Sequence, residues 1–166
     1  WNATSLSKLP VNSSAALQAE KDFDQDFNTD GITGTPFSTT ESAGSVSLLK
    51  DSSGLAYANT ADGSTHALRW KGLHFGDKTW KNWSVVGAES INGNNTIAIK
   101  ASSGKMELLH ADSSWNATSL SRLAVNSSAA LQAEKDFDQD FNTDGITGNP
   151  FSTTESAGSV SLLKDS

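Results

Sequence analysis

Residues 12–37 read NSSAALQAEKDFDQDFNTDGITGTPF, and the run returns at 126–151 with Asn149 in place of Thr35. It opens on candidate helix caps, Asn12, Ser13 and Ser14, followed by good helix formers. Ala16, Ala19, Phe23 and Phe27 recur at helical spacing along one face, with Glu20, Asp22, Asp24 and Gln25 mostly off it. The helix leads straight into an acidic turn. Pro36 then disfavours a helical conformation at Thr35 and blocks a second helix. The predicted unit is helix–loop–strand.

The recurrence extends well beyond this run. Residues 1–52 align with 115–166 at a constant offset of 114, and 49 of the 52 pairs are identical. The exceptions are Lys8/Arg122, Pro10/Ala124 and Thr35/Asn149. A period of 114 residues is too long for a solenoid repeat and suits a domain able to bury its own core. The other reading is a single duplicated segment within one domain.

Between the two copies the pattern shifts to short strands. GSVSLLK (44–50), LAYANT (55–60) and STHALRW (64–70) are separated by the turn signals DSSG and ADG. NWSVVGAES (82–90) and TIAIKAS (96–102) flank INGNN, a hairpin signal through Asn92-Gly93, and KMELLHA (105–111) follows SSG. The fold class expected is α+β. An antiparallel β-meander of about six strands carries one helix that leads into an EF-hand-like loop.

That loop has the form D-x-N-x-D-G. Asp26, Asn28 and Asp30 stand at the first, third and fifth positions, Gly31 allows the sharp turn, and the Ile32 carbonyl falls at the seventh. Asp140, Asn142, Asp144 and Ile146 are their equivalents in the second copy. Calcium takes six to eight oxygen ligands, and alternating oxygen side chains in a tight loop supply them. Where an EF-hand places a bidentate Glu, this chain has Phe37 and Phe151. The missing oxygens could come from Asp22, one turn before Asp26, or from Glu41 on the first strand, with Glu155 its equivalent. Glu41 is preferred, because it would tie the helix end of one unit to the first strand of the next. The competing reading is an acidic Asx turn without metal. Clustered Asp22, Asp24, Asp26 and Asp30 at a helix C-terminus oppose the macrodipole, and a cation would relieve them.

Composition narrows the function classes. The net charge of −7 argues against phosphate-backbone binding, so no nucleic-acid partner is expected. The absence of cysteine excludes disulfides and thiolate metal sites. No apolar run approaches the ~20 residues of a membrane span. With Trp1 in place of an initiator Met, the chain reads as a window on a longer protein.

The sequence resembles the tryptophan-rich repeat domain of large secreted bacterial proteins, first noted at the C-termini of cyanobacterial hemolysin-like proteins. The resemblance spans the full period. It rests on STTESAGSVSLLKDSSGLAY (38–57), WSVVGAESINGNN (83–95), SSWNATS (113–119) and ALQAEKDFDQDFNTDGITG (130–148). The chain departs from it at Ala98-Ile99-Lys100-Ala101, where such domains carry a Trp-Lys-Asn run, and at Met106, Leu108 and Leu109, where an aromatic pair is expected. The resemblance implies type I secretion without a cleaved signal, tandem arrays and calcium, and no enzymatic activity. On this reading, residues 1–35 end one repeat, 36–149 form a complete one and 150–166 begin the next.

Other constellations are weaker. His66, His74 and His110 have no cysteine or close carboxylate pair beside them to make a zinc or catalytic site. No serine lies in a G-x-S-x-G elbow. Trp70, Trp80, Trp83 and Trp115 fill either a core or a sugar-binding platform, with Trp80 and Trp83 the candidates for the platform. The function expected is a calcium-stabilised structural repeat at the cell surface that assembles with neighbouring copies into filaments, a sheath or a surface layer. The alternative is an adhesin or lectin-like module that binds extracellular glycans through exposed Trp.

Overall fold

A computed structural model describes residues 8–9, 13–29, 33–34, 37–51, 53–149, 151–155 and 162–165. Strands β1 (Ser38–Glu41), β2 (Val46–Lys50), β3 (Ala56–Thr60) and β4 (Thr65–Ala67) form an antiparallel sheet in chain order. The second sheet holds β5 (Arg69–Trp70), β6 (Leu73–His74), β7 (Trp83–Ile91), β8 (Asn94–Ala101), β9 (Met106–Ala111) and β10 (Asn116–Leu123), ordered β6-β5-β10-β9-β8-β7. Helices α1 (Ser14–Phe23) and α2 (Ser128–Phe137) are the two copies of the helical run. A final hairpin, β11 (Phe151–Glu155) with β12 (Leu162–Asp165), repeats the β1–β2 pairing, including its bulge before the Glu.

The expected meander is therefore divided between two sheets, and the division falls at Leu68. The run 64–70 was expected as one strand, but Leu68 is fully buried and its amide turns back to Ala56 O. Beyond it Arg69 N donates to Trp115 O and Lys71 N to Ala117 O, so β5 runs parallel to β10. β10 itself escapes a pattern reading because Thr118, Ser119, Leu120, Ser121 and Arg122 are all exposed. The hairpin at Asn92-Gly93 forms as expected, with both residues at positive φ.

The period of two along β8 sorts its side chains onto two faces. Ile97 and Ile99 face the four-stranded sheet and pack with Val46, Leu48, Ala58, Val85, Leu109 and Trp115. Ala98, between them, faces the other way and packs with Met106, Ala133, Phe137 and Phe141. The six-stranded sheet is thus covered by a sheet on one side and by α2 on the other. Gly87 allows the close approach, since a Cβ there would lie 2.7 Å from Phe137 Cδ1. The sequence departures at Ala98, Met106 and Leu108 all belong to this helix-packed face, where small or flexible side chains leave room for two phenylalanines.

Candidate functional site: a bracketed acidic loop and a tryptophan-lined cavity

Ser127 caps α2 by accepting the Ala130 amide at 3.2 Å, and the helix stops at Asp138, which adopts a left-handed conformation. The helical spacing read as far as Phe27 is not kept, since the helices end at Phe23 and Phe137. Asp22 and Asp136 remain helical, and each accepts from the Gln one turn earlier, Gln18 or Gln132, at 2.8 Å. Asp26 and Asp140 lie beyond the caps, in the loop.

The loop then closes on itself. Asp140 Oδ1 accepts the amides of Thr143 at 2.6 Å and Asp144 at 3.3 Å, and its Oδ2 accepts Gly145 at 2.7 Å. Asn142 Oδ1 accepts the Asp144 amide and Asp144 Oδ1 the Ile146 amide, each at 2.9 Å. Asn142 Nδ2 spans to Asp144 Oδ2 at 2.8 Å. The oxygens of Asp140, Asn142 and Asp144 are thereby held within one turn of chain. The set is two carboxylates, one amide oxygen and backbone carbonyls, all hard oxygen donors of the kind calcium takes. Among the described residues no three His, Asp or Glu side chains form a metal-holding group, so this loop would need its amide and carbonyl oxygens as well.

Two side chains outside the D-x-N-x-D-G pattern hold this loop in place. Glu134 is 1% exposed, and its carboxylate accepts the Asn142 amide at 3.0 Å and the Gly148 amide at 2.9 Å. Lys100, from β8, donates to Phe141 O at 2.6 Å. The first copy repeats the bracket: Glu20, also 1% exposed, accepts Phe27 N, Asn28 N and Gly34 N at 3.0–3.2 Å. The expectation that Glu20 lies off the buried face is thus wrong. Ala16, Ala19, Glu20 and Phe23 share one stripe at i, i+3, i+4 and i+7, and a charge on that stripe was the available signal.

The two copies differ in what covers them. Phe137 and Phe141 are 1% and 4% exposed, whereas Phe23 and Phe27, at the same positions in the first copy, are 70% and 54% exposed. Asp30 and Ile32 lie outside the described residues, and Glu155 is described only by its strand pairing with Leu162.

Glu41 stands at the end of β1. Its carboxylate accepts the Ala43 amide, and it lies in the field of Glu89 on β7 and of Asp138 at the end of α2. Burial, reinforced by those two acids, pushes its carboxyl up to about 7. Glu89 is itself 4% exposed and is satisfied by the hydroxyl and amide of Ser45 and by the Ser90 amide.

Of the tryptophans, Trp115 is wholly buried in the inter-sheet core, while Trp70, Trp80 and Trp83 pack against its edge. These three, with Thr79, Lys81, Ile99, Glu107, Leu109 and Leu120, line an open cavity of about 440 Å³ where the four-stranded sheet stops covering β8–β10. Trp80 is braced by Phe75 at 5.0 Å and by Trp70, edge-on, at 6.4 Å. Glu107, one of the lining residues, is paired with Arg122 at 3.0 Å. The histidines are apart from one another: His74 bonds Ala56 O, His110 bonds Ser121, and His66 lines a separate cleft.

A β-sandwich backed by one helix, with an acidic loop pinned at the helix end, defines the class. The profile of the tryptophan-rich Synechocystis species C-terminal domain matches residues 46–148. The chain belongs to this family, a cyanobacterial tryptophan-rich domain. No curated protein and no solved structure matches the chain.

Proposed function

We propose that the chain is a calcium-stabilised structural module of a secreted bacterial surface protein, repeated in tandem with period 114 and assembling with copies of itself into filaments, a sheath or a surface layer. The observation that carries this reading is the near-identical helix–loop bracket on either side of one β unit, closed by Glu20 in one copy and Glu134 in the other. Calcium would be held by Asp140, Asn142, Asp144 and the Ile146 carbonyl, and in the first copy by Asp26, Asn28, Asp30 and Ile32. The outer oxygens come from a strand carboxylate, Glu155 or Glu41, in preference to Asp136, which is engaged by Gln132. Export of a metal-free, acidic chain into calcium-rich surroundings fits such a site, because ligand binding to the folded state alone stabilises it by mass action. Extracellular calcium modules work near ~10⁻⁴–10⁻³ M.

The test is X-ray scattering and thermal unfolding of this chain in millimolar calcium and in EDTA. A rise in melting temperature with a narrower distribution of dimensions in calcium is expected. Equal dimensions and equal melting temperatures would reject the proposal. A second reading, glycan adhesion, is supported by a separate feature, the Trp70–Trp80–Trp83 cavity.

A further inference from the structure

We infer that the cavity lined by Trp70, Trp80 and Trp83 binds an acidic pyranose, the uronate end or branch of an extracellular polysaccharide; this rests on the glycan-adhesion reading and narrows it. Shape is the first consideration. The cavity, about 440 Å³, lies within the ~300–1,000 Å³ of small-molecule sites and opens at the uncovered end of the inter-sheet core. Its floor is Ile99 and Leu109, and its walls are indoles. Apolar walls accept the C–H face of a sugar ring, and braced aromatic rings do so with little loss of side-chain entropy.

The polar groups supply the other half of the recognition. The indole N–H groups of Trp70, Trp80 and Trp83 have no protein acceptor among the described residues, and none of them is a buried unsatisfied atom. All three N–H donors of these lining residues are therefore available to a ligand. The Glu107–Arg122 pair uses only Nε and Oε1, which leaves a carboxylate oxygen to accept a hydroxyl and two guanidinium nitrogens to donate.

Charge selects the class of sugar. The chain as a whole carries −7, yet the charged lining residues are one cation, Lys81, and one acid, Glu107, and Glu107 is already paired with Arg122 at 3.0 Å. The positive charge of Lys81 is left over. Lys81 has no protein partner among the described residues, and the side chain of Arg122, though paired with Glu107, is 81% exposed. The Lys81 ammonium attracts a carboxylate, and the guanidinium beside Glu107 suits its planar geometry.

The experiment titrates the chain with a galacturonate trimer and with maltotriose at one fixed free calcium concentration, followed by tryptophan fluorescence and calorimetry. Saturable binding of the acidic trimer is expected, at least about tenfold tighter than the neutral one and weakening with added salt. Trp80→Ala should remove it. Because Trp80 also braces Phe75, the exposed-residue variants Lys81→Gln and Arg122→Gln carry the test if that variant unfolds. Each should weaken binding about fivefold or more with melting unchanged. Equal binding of both trimers would overturn the acidic class while leaving glycan adhesion standing. Binding of neither would overturn both, and full affinity in Lys81→Gln and Arg122→Gln would place any binding site elsewhere.

Discussion

The Glu134 carboxylate accepts the Gly148 amide at 2.9 Å across fourteen residues of chain, with its second oxygen on the Asn142 amide. One buried anion thus closes both ends of the acidic loop onto the helix before it. In Glu134→Gln one of those amides would face an NH₂ group, a donor against a donor. Hydrogen bonds to charged groups are worth ~1.5–3 kcal/mol each, so a loss of about 3 kcal/mol in unfolding free energy is expected. Urea unfolding at constant slope measures it, and a loss below about 0.5 kcal/mol would mean that Glu134 does not close the loop.

Phe137 and Phe23 test the same side chain in two settings. Phe137→Ala empties a site beneath Gly87 and Met106 and should cost ~3–5 kcal/mol. Phe23→Ala alters a residue 70% exposed and should fall within about 0.5 kcal/mol of the parent. Paired denaturation curves decide it; equal losses would show that α1 is covered in solution as α2 is here.

This contrast also marks what the sequence could reveal. Local chemistry was legible: the Ser caps and the Asn-Gly hairpin depend on residues within a few positions, and the caps form alike in both copies. The split of the meander into two sheets was not legible, because Leu68 turns the chain through tertiary burial and no breaker marks the place. β10 carries too few apolar residues to signal a strand, and its order comes from its neighbours β5 and β9. The loop's oxygen ligands were visible in their alternation. Glu134 showed only as a charge on the apolar stripe; a carboxylate on a helix is normally solvated, and the amides it meets eight and fourteen residues later make its burial favourable.

Gly87→Ala should separate α2 from the sheet. The new Cβ would fall 2.7 Å from Phe137 and 2.9 Å from Gln139 Nε2, at a position already irregular in the β7–β8 register. Overpacking of this kind costs ~1–3 kcal/mol. Hydrogen exchange should localise the loss to α2 and its loop and leave β2 and β3 protected. A uniform loss of protection would indicate that helix and sandwich unfold as one unit.

Asp140→Asn separates the turn from the metal. The amide oxygen can still accept part of the Thr143, Asp144 and Gly145 set, but one of the loop's two carboxylates is gone. Calcium affinity measured by calorimetry should fall about tenfold or more, with a near-unchanged melting temperature in EDTA. Glu155→Ala should lower affinity more than Asp136→Ala; the reverse order would assign the outer oxygens to the helix.

Glu41 sets a pH dependence whose direction is opposite to that of most acids. Its folded carboxyl titrates at about 7 against 4.5 for the free group, because burial and the nearby Glu89 and Asp138 disfavour the charged form. Between those values the folded state binds more proton than the unfolded one, so stability falls as pH rises through the window. The contribution is complete below about 4.5 and gone above about 7. Glu41→Gln replaces the titrating group with a neutral one of the same shape. In calcium-free buffer its melting temperature should match the parent at low pH and exceed it above pH 7, flattening the profile. Parallel profiles for the two proteins across that window would mean that Glu41 is solvated and that the three acids do not share a junction.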